Sequence, residues 1–225
     1  MGRDGQPKHR QARDLARKRP QRVSHDRVLI VCEGSKTEPN YFREIIRAYR
    51  LHTASVTVLP CTRGTAPIAV VECARDLFDK GSCERGISPR AFERVYAVFD
   101  RDQHDSYREA LDLAKSLDGR RRNDAKESVC FRAIASVPCF ELWLLLHYED
   151  VSTWQVDVET VMRCLGVRFP GYAKGSNDVF ARTCDRLDTA KHHARILAEQ
   201  SDAYGAPAPY TAVFELVELL CSLRT

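Results

Sequence analysis

Long hydrophobic runs are missing from this sequence. Across its 225 residues no stretch approaches the ~18 consecutive apolar residues of a membrane-spanning helix, and the basic N-terminus has no apolar core behind it. The sequence therefore predicts no membrane span, no secretory signal and a cytoplasmic location. Any Cys-x-x-Cys pair is also missing. Nine cysteines stand at positions 32, 61, 73, 83, 130, 139, 164, 184 and 221, an odd number, mostly inside apolar segments. That argues against a disulfide framework or a zinc site and for buried thiols in a reducing compartment. There is no internal repeat. With 44% hydrophobic and 29% charged residues, the chain is not collagen-like, coiled-coil or wholly disordered. The nucleotide-binding loop G-x-x-x-x-G-K-[ST] fails as well, because Ser35 stands where Gly34-Ser35-Lys36-Thr37 would need its second glycine.

What is present begins with charge. The net charge is +4, but residues 1–30 hold nine lysines and arginines against three aspartates, so the remainder is slightly negative. A polar, basic arm over residues 1–26 cannot fold alone. It reads either as a phosphate-attracting arm or as a solubilising tail.

From Arg27 the texture changes. Arg27–Cys32 and Val95–Phe99 are continuous apolar runs, the pattern of strands covered on both faces. Further strands are expected over Ser55–Leu59 and Val129–Ala135. Helical spacing marks Thr37–Arg50, Ala66–Lys80, Asp105–Leu117 and the intensely apolar Phe140–His147. Strands and helices alternate at βαβ spacing, which predicts an α/β fold, a mainly parallel sheet with helices on both faces, over residues 27–150. Beyond residue 150 the strand signal ends. Residues 151–225 read as a helical extension, with helices over Val156–Cys164, Val179–Ala198 and Tyr210–Leu223. The apolar stretch Val213–Leu220 is a candidate subunit contact in a homo-oligomer.

In an open parallel sheet, reactive polar groups gather beyond the carboxyl ends of the strands. Glu33 follows the first strand; Asp100 and Asp102 follow the third, with i, i+2 spacing that aims both to one side. Oxygen ligands of this kind suit Mg2+ or Mn2+, which would hold a phosphodiester and activate water. Each acidic residue also has a plain structural reading: Asp102 or Asp105 as a helix cap, Glu33 as a partner of Lys36. Glu141 sits among Phe140, Leu142 and Trp143 and needs a partner, either Arg132 or the strand-end cluster. Lys36 and Lys174 are candidate phosphate contacts, and His147 a candidate substrate contact or a core histidine. Cys139 reads as core packing.

Three segments resemble the motifs of the RloB family, bacterial proteins with a TOPRIM-like domain. These are Cys32-Glu33-Gly34-Ser35-Lys36-Thr37-Glu38-Pro39-Asn40-Tyr41-Phe42, Val98-Phe99-Asp100-Arg101-Asp102-Gln103-His104 and the run from Ser136 to His147. Weaker echoes are Tyr172-Ala173-Lys174 and Pro209–Val213, while Val137 stands where the family more often has asparagine. The resemblance spans roughly residues 27–220. It implies a TOPRIM-type catalytic site with Glu33, Asp100 and Asp102 around magnesium, and Glu38 and Glu141 as further acidic positions. It also implies a nuclease acting on DNA or RNA in phage defence, with an AAA-type or SMC-like ATPase partner. A non-catalytic nucleic-acid-binding or adaptor subunit is the alternative, and a nucleotidyl transferase a third.

Overall fold

The computed structural model describes residues 26–52, 55–101, 104–205 and 208–224. The basic arm lies outside the described residues except for Asp26, which pairs with Arg94 at 2.6 Å. Four parallel strands, β1 (Val28–Cys32), β2 (Val56–Pro60), β3 (Arg94–Asp100) and β4 (Cys130–Val137), form the sheet with a short antiparallel β5 (Tyr210–Thr211), in the order β2-β1-β3-β4-β5. Every residue of β1 is buried, as is Val95–Phe99 within β3; edge strand β2 alternates instead. Unbroken apolar runs thus mark the centre of the sheet, and alternation marks its rim.

Helix α1 (Thr37–Ala48) carries the chain from β1 outward to β2. Helix α2 (Pro67–Lys80) returns it past β1 to β3, and α3 (Tyr107–Leu117) continues to β4. Right-handed crossovers in opposite directions put α1 on one face and α2 with α3 on the other. A short helix α4 (Glu141–Leu145) follows β4. Then come α5 (Val158–Arg168), α6 (Val179–Thr183), α7 (Leu187–Gln200) and α8 (Val213–Ser222), of which α6 and α8 pack beside α1. The two halves share one core. Trp143 of α4 donates its Nε1–H to the Tyr41 hydroxyl at 2.9 Å, and Tyr41 meets Phe140 and Phe180 edge-on at 5.6 and 5.7 Å.

The structure revises several expectations. Tyr210 and Thr211 form a strand rather than the start of a helix. They cover the far edge of β4, with the Thr211 and Ser136 hydroxyls bonded at 3.1 Å and the Ala212 N–H on the Ala135 carbonyl at 2.9 Å. Residues 179–198 are not one helix: the Thr183 hydroxyl turns back to the Val179 carbonyl (2.8 Å), and Cys184–Arg186 tightens into a 3-10 turn. Val213–Leu220 is not an exposed subunit surface. Val213, Leu216, Val217 and Leu220, at i, i+3, i+4 and i+7, form one fully buried stripe. Among the described residues, Val167 is the one large hydrophobic left exposed. Of the nine free cysteines only Cys32, Cys73 and Cys139 are buried, and Cys83 is exposed. Arg132 pairs with Glu215, not with Glu141. No helix among the described residues is long and apolar enough to cross a membrane.

Buried Glu44 of α1 ties in the C-terminal half. Its two oxygens accept the Asp178 and Phe180 N–H groups, each at 2.7 Å, at the entry to α6. Replacing Glu44 with Ala orphans both donors and should lower unfolding stability by about 3 kcal/mol in urea denaturation. A loss below about 0.5 kcal/mol, within the range of surface substitutions, would show that the clasp is not structural.

Candidate active site

The chain leaves β1 toward β2 and reaches β3 on the other side, so the switch point of the sheet lies between β1 and β3. Their carboxyl ends bound the crevice where such folds bind ligands. Cys32 pairs with Val98, and the next residue, Glu33, donates its N–H to the Val98 carbonyl at 2.9 Å. The Glu33 carboxylate folds onto the neighbouring strand, where Oε2 accepts the Asp100 N–H at 2.9 Å. Glu38, in the first turn of α1, turns back so that Oε1 accepts the Gly34 N–H at 3.3 Å. A Cβ at Gly34 would stand 2.2 Å from Glu38 Oε2, so only glycine leaves room for that carboxylate.

The chain leaving β4 delivers Glu141 to the same place. Glu141 is 2% exposed. Its Oε1 accepts the Tyr172 hydroxyl at 3.0 Å, and Lys174 Nζ stands 3.5 Å from Oε2. That separation is ionic contact without a hydrogen bond: Oε2 is buried with no hydrogen-bond partner among the described residues. Here the structure decides between the two partners open to Glu141 and takes neither wholly, because the cation comes from the C-terminal extension.

The electrostatics follow from crowding. Burial, then the charges of Glu38 and Glu33, push the Asp100 carboxyl well above the usual carboxylate range, against the pull of the Phe140 N–H; Glu141 adds to the push. Burial and then Glu141 raise Glu38, opposed by backbone N–H groups and Lys174. Cys139 is pushed up by burial and by Glu141 and Asp100, which keeps it a thiol. Burial alone would lower the Lys174 ammonium, but the surrounding negative charge, Glu141 first, lifts it instead.

Residues 172–177 fold over the start of α1. The Gly175 N–H meets the Thr37 hydroxyl at 2.9 Å, and the Lys36 side chain lies against Gly175, with Cβ and Cδ each 3.1 Å from where a Cβ would sit. Lys36 is exposed and Lys174 half-buried, so one loop holds both cations at the acidic crevice. His147 is elsewhere. It is fully buried, its Nδ1 on the Trp143 carbonyl at 3.0 Å and its ring edge-on to Trp143, and burial lowers its pKa to about 4. It makes no hydrogen bond or ion pair with the carboxylates. Asp102 lies outside the described residues. Tyr172, which orients Glu141, was read from sequence only as part of a Tyr-x-Lys echo.

A family model of RloB-like proteins matches residues 28–220, from the first residue of β1 into α8. The chain belongs to the RloB-like family. That span takes in Glu33, Glu38, Asp100, Glu141, Tyr172 and Lys174, so the whole acidic crevice and its covering loop are RloB-like sequence. No curated protein and no solved structure matches the chain.

The donor set of this RloB-like crevice is hard carboxylate oxygen, and Glu141 Oε2 is a buried acceptor with room for a cation. Both fit a divalent ion such as Mg2+. Among the described residues no three His, Cys, Asp or Glu side chains are already grouped as ligands.

With Asp100 and Glu38 raised, the folded protein binds more protons than the unfolded chain from the ordinary carboxylate range, about pH 4, upward through the raised values. In that window these groups make stability fall as pH rises. In chelator, Asp100→Asn should therefore gain in melting temperature over the unchanged protein, and the gap should widen between about pH 5 and pH 8. A gap constant with pH would show that Asp100 carries no such shift.

Proposed function

We propose that this RloB-like protein is a metal-dependent nuclease of the TOPRIM type that cleaves phosphodiester bonds in nucleic acid. The observation that carries the reading is the Glu33–Asp100 contact. It brings two strand-end carboxylates together at the switch point of the sheet, with Glu38 and Glu141 crowded against them. Glu33, Asp100 and Asp102 are the residues that would hold Mg2+ or Mn2+, which when bound supplies positive charge for the phosphodiester and an activated water. The protein's own groups divide the remaining work. Lys36 and Lys174 offer cations to phosphate oxygens from one loop, and the Tyr172 hydroxyl fixes the orientation of Glu141. Asp100 and Glu38, raised above ordinary carboxyls, are suited to take up and return protons near neutral pH. The family resemblance extends the reading to phage defence alongside an ATPase partner.

A non-catalytic nucleic-acid-binding subunit of an ATPase complex is the second reading. What favours it is that no three ligands are pre-grouped among the described residues. One experiment separates the two. The purified chain is incubated with DNA and RNA in Mg2+ or Mn2+, with and without an ATPase encoded beside it. We expect cleavage that chelator abolishes, and losses of at least about 100-fold in Glu33→Gln, Asp100→Asn and Asp102→Asn, with folding retained. Cleavage undiminished in Glu33→Gln, or nucleic-acid binding without cleavage under every condition, would overturn the nuclease reading.

A further inference from the structure

One residue beyond Asp100 the character of the surface reverses. The Arg101 N–H continues the ladder to the Ser136 carbonyl at 2.8 Å, so the backbone there is still extended and successive side chains leave on opposite faces. Asp100 turns to the acidic crevice beside α1. Arg101 instead lines a cavity of about 190 Å³ on the α3 side, together with His104, Asp105, Tyr107, Arg108 and Tyr204.

The wall of that cavity is braced. Tyr107 donates its hydroxyl to the Ala203 carbonyl at 3.0 Å and sets its ring edge-on to Phe99; Tyr204 donates to Asp112 at 2.9 Å. Arg108 reaches the Tyr204 carbonyl at 3.4 Å, which leaves most of its guanidinium donors unused. Among the described residues neither Arg101 nor Arg108 has a carboxylate partner, whereas Arg27, Arg63 and Arg94 are each ion-paired. Two fixed positive charges and an imidazole face one rim carboxylate, Asp105. The balance suits an anion, and a guanidinium fork binds phosphate through two oxygens at once.

The geometry points to a phosphate subsite: the Arg101–Arg108 cavity holds the backbone phosphodiester next to the one at the carboxylates. A nucleic-acid strand would then cross the carboxyl edge of β3 from the acidic side to the basic side. The assignment rests on the nuclease reading for the direction of the strand, and the cavity's charge supports anion binding without it.

Binding without metal tests it. Short fluorescent DNA and RNA strands are titrated into the full chain in chelator over a range of salt. The variants are the double variant Arg101→Gln/Arg108→Gln, the charge-keeping Arg101→Lys/Arg108→Lys, and Lys115→Gln elsewhere on α3. Arg108 is exposed and the Arg101 side chain makes no hydrogen bond among the described residues, so folding should survive, as thermal melting will show. The glutamine double variant should bind about tenfold more weakly or worse, with the log–log salt slope reduced by about two, one for each lost phosphate contact. The lysine double variant should keep the slope with reduced affinity. Lys115→Gln should match the unchanged protein. Affinity within about twofold of the unchanged protein in the glutamine double variant, or no binding by the unchanged protein, overturns the subsite. Binding that depends on the two arginines, in a protein that never cleaves, keeps the subsite and removes the nuclease reading.

Discussion

The bond from the Asp100 N–H to the Glu33 carboxylate is the constraint on which the rest of the crevice depends. Glu33 could turn to solvent at the end of its strand; it lies instead across the end of β3 and closes the gap at the switch point. That choice fixes the negative charge of Glu33 beside Asp100 and makes the environment of Asp100 what it is. Burial and neighbouring charge then act together, since desolvated carboxylates repel strongly and each favours a protonated or cation-bound neighbour. A crevice arranged this way is strained by its own charge. Its relief comes from N–H groups at Gly34 and Phe140, from Lys174, and from whatever cation the protein binds.

The C-terminal half is part of that arrangement. Tyr172 and Lys174 belong to a loop anchored on α1 through Gly175–Thr37 and, two residues further, by Asn177 on Asn40 at 3.4 Å. Glu44 clasps the next turn of chain. The β-strand half brings four carboxylates together, and the extension brings groups that orient and neutralise one of them. Function on this scaffold therefore depends on packing between α1, α4 and α6, where the aromatic rings of Tyr41, Phe140 and Phe180 meet.

Strands β1 and β3 could be read directly from the sequence because central strands of a parallel sheet are apolar on both faces. Once they were placed, the positions of Glu33 and Asp100 followed. Local patterning failed where the outcome depended on distant partners. Two residues of β5 are too few to show a period, and they become a strand only because β4 offers an open edge. The helix expected over 179–198 breaks because Thr183 bonds its own backbone. Glu141 was seen to need a partner, but whether Arg132 or Lys174 would reach it is decided by three-dimensional packing, and Arg132 goes to Glu215. The Arg101–Arg108 cavity left no signal, because it joins a strand end, a helix start and a loop about a hundred residues later, near Tyr204.

The order of these groups along the chain has a consequence for synthesis. Glu33, Glu38, Asp100 and Glu141 all emerge from the ribosome before Tyr172 and Lys174. A nascent chain that has just completed α4 carries the full set of acidic groups without the ammonium and hydroxyl that later attend Glu141. Until the last third of the polypeptide is made and docked, that carboxylate has neither counter-charge nor hydrogen-bond donor from its eventual loop. The crevice thus becomes complete only when translation is nearly over.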